Sequence, residues 1–192
     1  MTPLHNEPHS SEVQLVFRIK NGDVVAFKEL FYGYCQPLIR FALRFIREVD
    51  SAEDLVQEVF FKVWSNRQQL DPKLSIKSYL YTAVRNLALN QIRHQQVIQK
   101  AHEKLQHSPY HPPTPEELLD ANQIELAVMQ TIDELPEKCR LIFTMSRFDN
   151  LTYAEIADIL ELSIKTIETQ MGRALQHLRK KLNHLLQLMV LL

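Results

Sequence analysis

The sequence predicts an all-α protein built as two small helical domains joined by an extended linker, and three observations carry that prediction. Apolar residues recur at three- and four-residue steps through nearly the whole chain, and no segment alternates convincingly with period two. The stretch 96–115 breaks the pattern with Pro109, Pro112, Pro113 and Pro115, three histidines (His102, His107 and His111), and only Val97, Ile98 and Leu105 as sizeable aliphatics. Such a segment buries little surface and reads as a linker. The flanking stretches, 12–95 and 116–184, are each long enough for one small domain.

Element by element, Ser10 and Ser11 cap a short first helix that stops near Asn21-Gly22, and Asp23 caps the second. The second carries Phe27, Leu30, Phe31, Tyr34, Leu38, Phe41, Ala42 and Phe45 as one apolar stripe. Ser51-Ala52-Glu53-Asp54 has the form of a helix start, followed by Leu55, Val56, Val59, Phe60, Val63 and Trp64 on one face. A polar break, Asn66 to Leu74, contains Asp71-Pro72. A fourth helix then spans about Ser75 to Gln95, with Ile76, Leu80, Ala83, Val84 and Leu87 inward. Helical pattern resumes at Glu116 and is broken at Leu135-Pro136, Asp149-Asn150 and Glu161-Leu162-Ser163.

Composition removes several functions. The 192 residues are 45% hydrophobic and 23% charged, a globular profile. Three glycines (Gly22, Gly33 and Gly172) allow neither a dinucleotide fingerprint nor a P-loop. Cys35 and Cys139 are too far apart for a zinc pair or a redox motif, and read as buried thiols in a reducing cytosol. His102 and His107 flank an H-E-x-x-x-H spacing, in which the second histidine leaves the shared helix face, so no metal site follows. No residue pattern suggests nucleophilic catalysis, and the expectation is a non-enzyme without cofactor, metal or small-molecule substrate. The N-terminus lacks the basic and apolar regions of a secretory signal, and the apolar run Leu185–Leu192 is shorter than the ~20 residues of a membrane span, which predicts a cytoplasmic protein.

Net charge is −1, but the charges are sorted into blocks. Glu48 to Glu58 holds five acids and no base; Lys73 to Arg93 holds four bases and no acid; Lys165 to Lys181 holds five bases against Glu168. Sorting of this kind points to different partners for different faces.

Residues 152–182 give the strongest local signal. Thr152-Tyr153-Ala154-Glu155 is a capping box that opens a short helix with Ile156, Ala157 and Leu160 inside. A three-residue turn follows, and Ser163 caps a longer helix that buries Ile164, Ile167, Met171, Ala174, Leu175 and Leu178. This is the form of a helix-turn-helix, and the residues left outside (Lys165, Thr166, Glu168, Thr169, Gln170 and Arg173) suit a major groove. Arginine reads guanine, glutamine reads adenine, glutamate accepts from cytosine, and Arg179, Lys180 and Lys181 lie where backbone contact follows. An ordinary helical hairpin with a basic face gives the same periodicity. The helix over 75–95 offers a second surface: Ser78, Thr82, Arg85, Asn86 and Arg93 recur on one face, with Lys73, Lys77 and Asn90 nearby and Tyr79 and Tyr81 as aromatic surface.

Taken together, the chain from Glu12 to Leu182 resembles an extracytoplasmic-function sigma factor, the smallest class of bacterial RNA polymerase sigma subunit. "AFKELFYGYCQPLIRFALRFI" is similar to the opening of sigma region 2, and "DSAEDLVQEVFFKVWSN" to that family's polymerase-binding signature. "IKSYLYTAVRNLALNQIRHQ" is similar to the helix that engages the promoter −10 element. "LPEKCRLIFTMSRFDNLTYAEIADILELSIKTIETQMGRALQHLRKKL" is similar to region 4, which ends in the −35-reading helix-turn-helix.

The resemblance implies roles. Glu53, Asp54, Gln57 and Glu58 would lie on the clamp helices of core RNA polymerase. Lys73, Lys77, Tyr81, Arg85, Asn86, Asn90 and Arg93 would engage the −10 element of promoter DNA, with loop Asn66–Leu74 contributing to a pocket for a flipped base. Ser163, Lys165, Thr166, Glu168, Thr169, Gln170 and Arg173 would read the −35 element. The linker would thread the polymerase channel, and a membrane-anchored anti-sigma factor would hold the protein inactive. Glu168 and Gly172 stand where many members are more basic, and the apolar tail lies beyond the usual end of the domain. A stand-alone helix-turn-helix regulator and a protein-binding helical module are the competing readings; a stand-alone regulator has no need of the acidic signature at 50–64.

Overall fold

Helix formation follows the apolar periodicity closely. The computed structural model describes residues 10–101 and 122–190, and within them every regular element is helical. The helices are α1 (Ser10–Lys20), α2 (Val24–Ala42), α3 (Val49–Ser65), α4 (Ile76–Ala101), α5 (Asn122–Asp133), α6 (Glu137–Arg147), α7 (Tyr153–Leu160) and α8 (Ile164–Val190), with a 3-10 turn at Arg67–Gln69. They fall into two compact units. The first holds α1–α4, and the second holds α5, α6, α8 and most of α7.

In the first unit α2 packs against α1, α3 and α4, and α3 packs against α4. The α2 stripe is aromatic towards α3, where Phe27 meets Trp64 at 4.9 Å between ring centroids and Phe31 meets Phe60 at 4.9 Å. Towards α4, Phe41 meets Tyr81 at 4.9 Å. Val16, Ile19, Leu30, Leu38, Leu55 and Leu80 complete this core. Pro37 lies inside α2 and cannot donate to the carbonyl of Gly33, four residues earlier, at an exposed position of the helix. In the second unit α8 packs on α5 and α6 around Ile132, Leu135, Ile142, Met145, Ile167 and Met171. Lys181 reaches Glu134, just past α5, at 2.9 Å.

Two helix ends obey local chemistry read from the sequence. Gly22 (φ 82°) closes α1, with Asp23 N–H returning to Arg18 C=O and Gly22 N–H to Ile19 C=O, a Schellman stop. Asp23 then caps α2, its carboxylate accepting from the N–H groups of Val25 and Ala26. Those bonds, with Arg18 beside them, hold the Asp23 carboxyl below its ordinary value.

Other boundaries differ from the sequence reading. α3 starts at Val49, two residues before Ser51, and Ser51 donates from inside the first turn to Glu48. α2 ends at Ala42, and Phe45 sits in the turn beyond, edge-on to Phe41 at 5.2 Å. α4 does not stop at Gln95 but continues to Ala101, so residues 96–101 of the expected linker are helical. The remainder of that linker, 102–115, and the expected helical stretch 116–121 lie outside the described residues. Cys139 is buried as expected, whereas Cys35 is half-exposed.

The α4 start has a cap that no local pattern announces. Glu12 of α1 accepts from Ile76 N–H at 2.9 Å and from Lys77 N–H at 3.4 Å. Removing it orphans donors at a helix N-terminus, so Glu12→Ala should cost about 1 kcal/mol in chemical denaturation, with Glu12→Gln in between. For Asp23 the sign follows from its lowered pKa: its contribution is present above the ordinary value of 3.8 and fades as pH falls through the depressed folded value. Thermal melts should therefore show an Asp23→Ala deficit at neutral pH that closes in acid.

Candidate functional site

Three surfaces hold the residues that the sequence singles out. The first is the outer side of α3, where apolar positions 52, 55, 56, 59, 60 and 63 turn inward. That burial forces Glu53, Asp54, Gln57 and Glu58 outward together, all exposed. Glu58 pairs with Lys62 at 2.6 Å, an exposed i,i+4 pair. The same stripe continues into Phe61, which is 70% exposed. Sequence reasoning missed Phe61, although it lies seven residues, about two helical turns, after Asp54 and so on the acidic face.

The second surface is the loop 66–74 with the start of α4. Lys20 Nζ donates to Leu70 C=O at 2.6 Å, and Gln68 donates to Lys20 C=O at 3.3 Å, so α1 holds the loop from below. Arg67 stacks over the Trp64 ring at 4.5 Å and donates to Trp64 C=O at 2.8 Å. Lys73 N–H bonds the Asp71 carboxylate, tightening the turn before α4. The result is a cavity of about 220 Å³ lined by Asn66, Gln69, Leu70, Asp71, Leu74 and Tyr79, among others. Leu74 and Tyr79 are exposed at it. This cavity lies at the loop for which the resemblance implies a base pocket, and Arg85 and Asn86 are not among its lining residues. Asn86 is seven residues beyond Tyr79, about 10 Å along the helix axis.

Along α4 the expected DNA-facing residues divide. Lys73, just before the helix, and Asn86, Asn90 and Arg93 on it are exposed, and Arg93 donates to Asn90 at 3.3 Å. Arg85 and Lys77 are half-buried. Tyr81 must be corrected: it is only 1% exposed, packed on Phe41, and offers no surface to a base. Its position foretold this, because Tyr81 shares an arc of the helix with Val84 and Ala88, both buried. Tyr79 is the aromatic that faces outward.

The third surface is the helix-turn-helix. Thr152 and Glu155 form the capping box, with Glu155 accepting from Thr152 N–H at 2.8 Å and Thr152 Oγ1 accepting from Glu155 N–H at 3.2 Å. The turn passes through Glu161 in the left-handed region (φ 56°), and Leu162 N–H returns to Ala157 C=O. Ser163 caps α8 by accepting from Thr166 N–H at 3.1 Å, and the Ser163 and Thr166 hydroxyls bond each other. Thr169 donates its hydroxyl to Lys165 C=O. Gln170 is half-buried, its carboxamide oxygen accepting from the Cys139 thiol at 2.9 Å. Lys165, Glu168, Thr169 and Arg173 remain exposed. Ile164 and Leu175, expected inside, are 50% and 37% exposed; Ile164 opens α8 before any helix covers it. A cleft of about 380 Å³ lies between the start of α6 and α8, lined by Cys139, Gln170, Arg173, Gln176, His177 and Lys180.

Among the described residues no group of histidine, cysteine, aspartate and glutamate could hold a metal ion, and no helix is long and apolar enough to cross a membrane.

Comparison with known proteins matches residues 30–97 to sigma-70 region 2 and residues 125–178 to sigma-70 region 4, together more than half of the chain. The RNA polymerase sigma-H factor of Pseudomonas aeruginosa is 28% identical over 183 residues, covering 91% of this chain and 95% of its own. The extracytoplasmic-function sigma factor SigW of Bacillus subtilis is 25% identical over 188 residues, covering 88% and 95%. A solved structure of the sigma factor RpoE with the anti-sigma factor NepR from Bartonella quintana shares the fold, with a TM-score of 0.61 at 24% identity over 83% of this chain and 98% of that one. With both sigma modules present in order and full-length relatives of one kind, the chain belongs to the sigma-70 family as an extracytoplasmic-function RNA polymerase sigma factor.

The two tyrosines of α4 give a direct check. Tyr81→Ala should destabilise the first unit by about 3–5 kcal/mol, as for other large aromatic truncations in a core. Tyr79→Ala should stay within about 0.5 kcal/mol, and urea titration of both variants separates the two cases.

Proposed function

We propose that the three surfaces divide the work of a sigma factor: α3 docks core RNA polymerase, loop 66–74 with α4 captures the −10 element, and α8 reads the −35 element. The domains would be 12–95 for region 2 and 116–184 for region 4, with residues between them threading the polymerase channel. The observation that carries the reading is that one chain presents an exposed acidic helix face over Glu53, Asp54, Gln57 and Glu58 as well as a capped helix-turn-helix. A repressor that holds DNA unaided has no use for the first. A sigma factor does, and its net charge of −1 is then no obstacle, because polymerase supplies the electrostatic hold on DNA.

At the −10 element, Lys73, Lys77, Arg85, Asn86, Asn90 and Arg93 would follow the strand while the cavity beside Tyr79 receives an unstacked base. Unstacking costs a few kcal/mol, which contacts inside the cavity offset. At the −35 element, Lys165, Glu168 and Arg173 are the side chains free to meet base edges. Ser163 and Thr166 act through the cap, Thr169 through its methyl group, and Gln170 through its remaining amide donors. Such a protein works in the cytoplasm, without catalytic residues of its own. An anti-sigma factor, membrane-anchored in many systems, is the partner that would silence it by covering α3 and α8.

Reconstitution with core polymerase tests the whole reading: promoter-dependent initiation supports it, and duplex binding that needs no polymerase opposes it. The double variant Asp54→Lys, Glu58→Lys should lose co-purification with core enzyme while keeping its circular dichroism spectrum, because both positions are solvent-facing. Binding at wild-type stoichiometry would remove α3 from the interface. Arg173→Ala should cost about 1–3 kcal/mol at the −35 element and relax preference at one position of a promoter library, whereas an unchanged ranking would count against it.

A further inference from the structure

We infer that Glu168 makes this protein require a cytosine at one position of its −35 element. The inference rests on the proposed docking of α8 in the major groove and adds a base identity to it. Its starting point is which side chains on α8 are uncommitted. The Ser163 and Thr166 hydroxyls bond each other, the Thr169 hydroxyl bonds Lys165 C=O, and the Gln170 oxygen holds the Cys139 thiol. Glu168, by contrast, is exposed, and no described residue pairs with it, not even Lys165 one turn earlier. One turn later stands Gly172, where an added Cβ would find nothing within 4 Å. The carboxylate is therefore flanked by open helix surface rather than by a cation or a bulky neighbour.

A lone carboxylate facing DNA is repelled by every phosphate, so it must find a hydrogen-bond donor to be tolerated. The major groove offers two amino donors, cytosine N4 and adenine N6. Beside adenine N6 lies the N7 acceptor, which faces a second carboxylate oxygen unfavourably. Cytosine has no such acceptor on that edge. Guanine and thymine present acceptors alone, which a carboxylate cannot use. Glu168 thus favours the cytosine edge over the other three, and the disfavoured edges are as much a part of the selectivity as the bond.

A base-randomised −35 library with a fixed −10 element, transcribed by polymerase reconstituted with each variant, reads this directly. Wild type should favour cytosine at one position by about 5- to 150-fold, the span of one good base contact. Glu168→Gln should lose that preference and rank adenine first there, since a carboxamide both accepts and donates; Glu168→Ala should be flat at that position. A cytosine preference kept by both variants, or absent from wild type, overturns the inference. Lys165→Ala and Arg173→Ala separate the two levels. If they move the ranking while the Glu168 variants do not, α8 is the reader and Glu168 is not. If no α8 variant moves it, the −35 role of α8 itself falls, and the inference with it.

Discussion

The hold of α1 on the segment 68–77 is the constraint from which the first unit's functional surface follows. Glu12 caps α4 across 64 residues of sequence, and Lys20 grips Leu70 C=O across 50. With the bond from Gln68 to Lys20 C=O, they tie loop 66–74 and the start of α4 to α1 between the loop's own ends. Both contacts engage backbone groups, which every sequence has. Arg67 adds a third clamp from within the loop by lying on Trp64, itself fixed by Phe27. The smallest helix of the unit is thereby the one that positions its most specialised segment.

The second unit solves the same problem with caps. The capping box at Thr152, the left-handed Glu161 and the Ser163 cap together set where α7 ends and where α8 begins. Cys139 then ties α6 to α8 through Gln170, inside the face that would meet DNA. A buried thiol is a weak donor, so this bond orients the carboxamide more than it stabilises the fold. The Ser163, Thr166 and Thr169 hydroxyls and the Gln170 oxygen are thus engaged in local structure, while Lys165, Glu168 and Arg173 stay exposed.

This explains how far the sequence was legible. Helical period placed all four helices of the first unit and the helix-turn-helix, because burial of a stripe is decided within a few turns. Asp23, Ser163 and the Thr152–Glu155 box were readable because capping is local. Ser51 misled since its hydroxyl has a use inside the first turn as well as before it. Tyr81 was assigned to DNA from its residue type although its register with Val84 and Ala88 already placed it inside. Ile164 shows the opposite error: an apolar type at a helix start, where no neighbour stands to cover it. Glu12 was beyond reach, because the partner of that carboxylate lies in another helix and no spacing rule connects them.

Gly172 has a consequence for how the second unit trades stability. Mid-helix glycine costs about 1 kcal/mol against alanine, and here no steric reason demands it, since the helix is regular and the space beside it is empty. A methyl group would fit and would stiffen α8. What the bare position supplies is clearance: a strip of backbone with no side chain standing above it, along which another surface can draw nearer by the thickness of a methyl group. The chain thus forgoes rigidity at a position whose one structural product is room beside the helix.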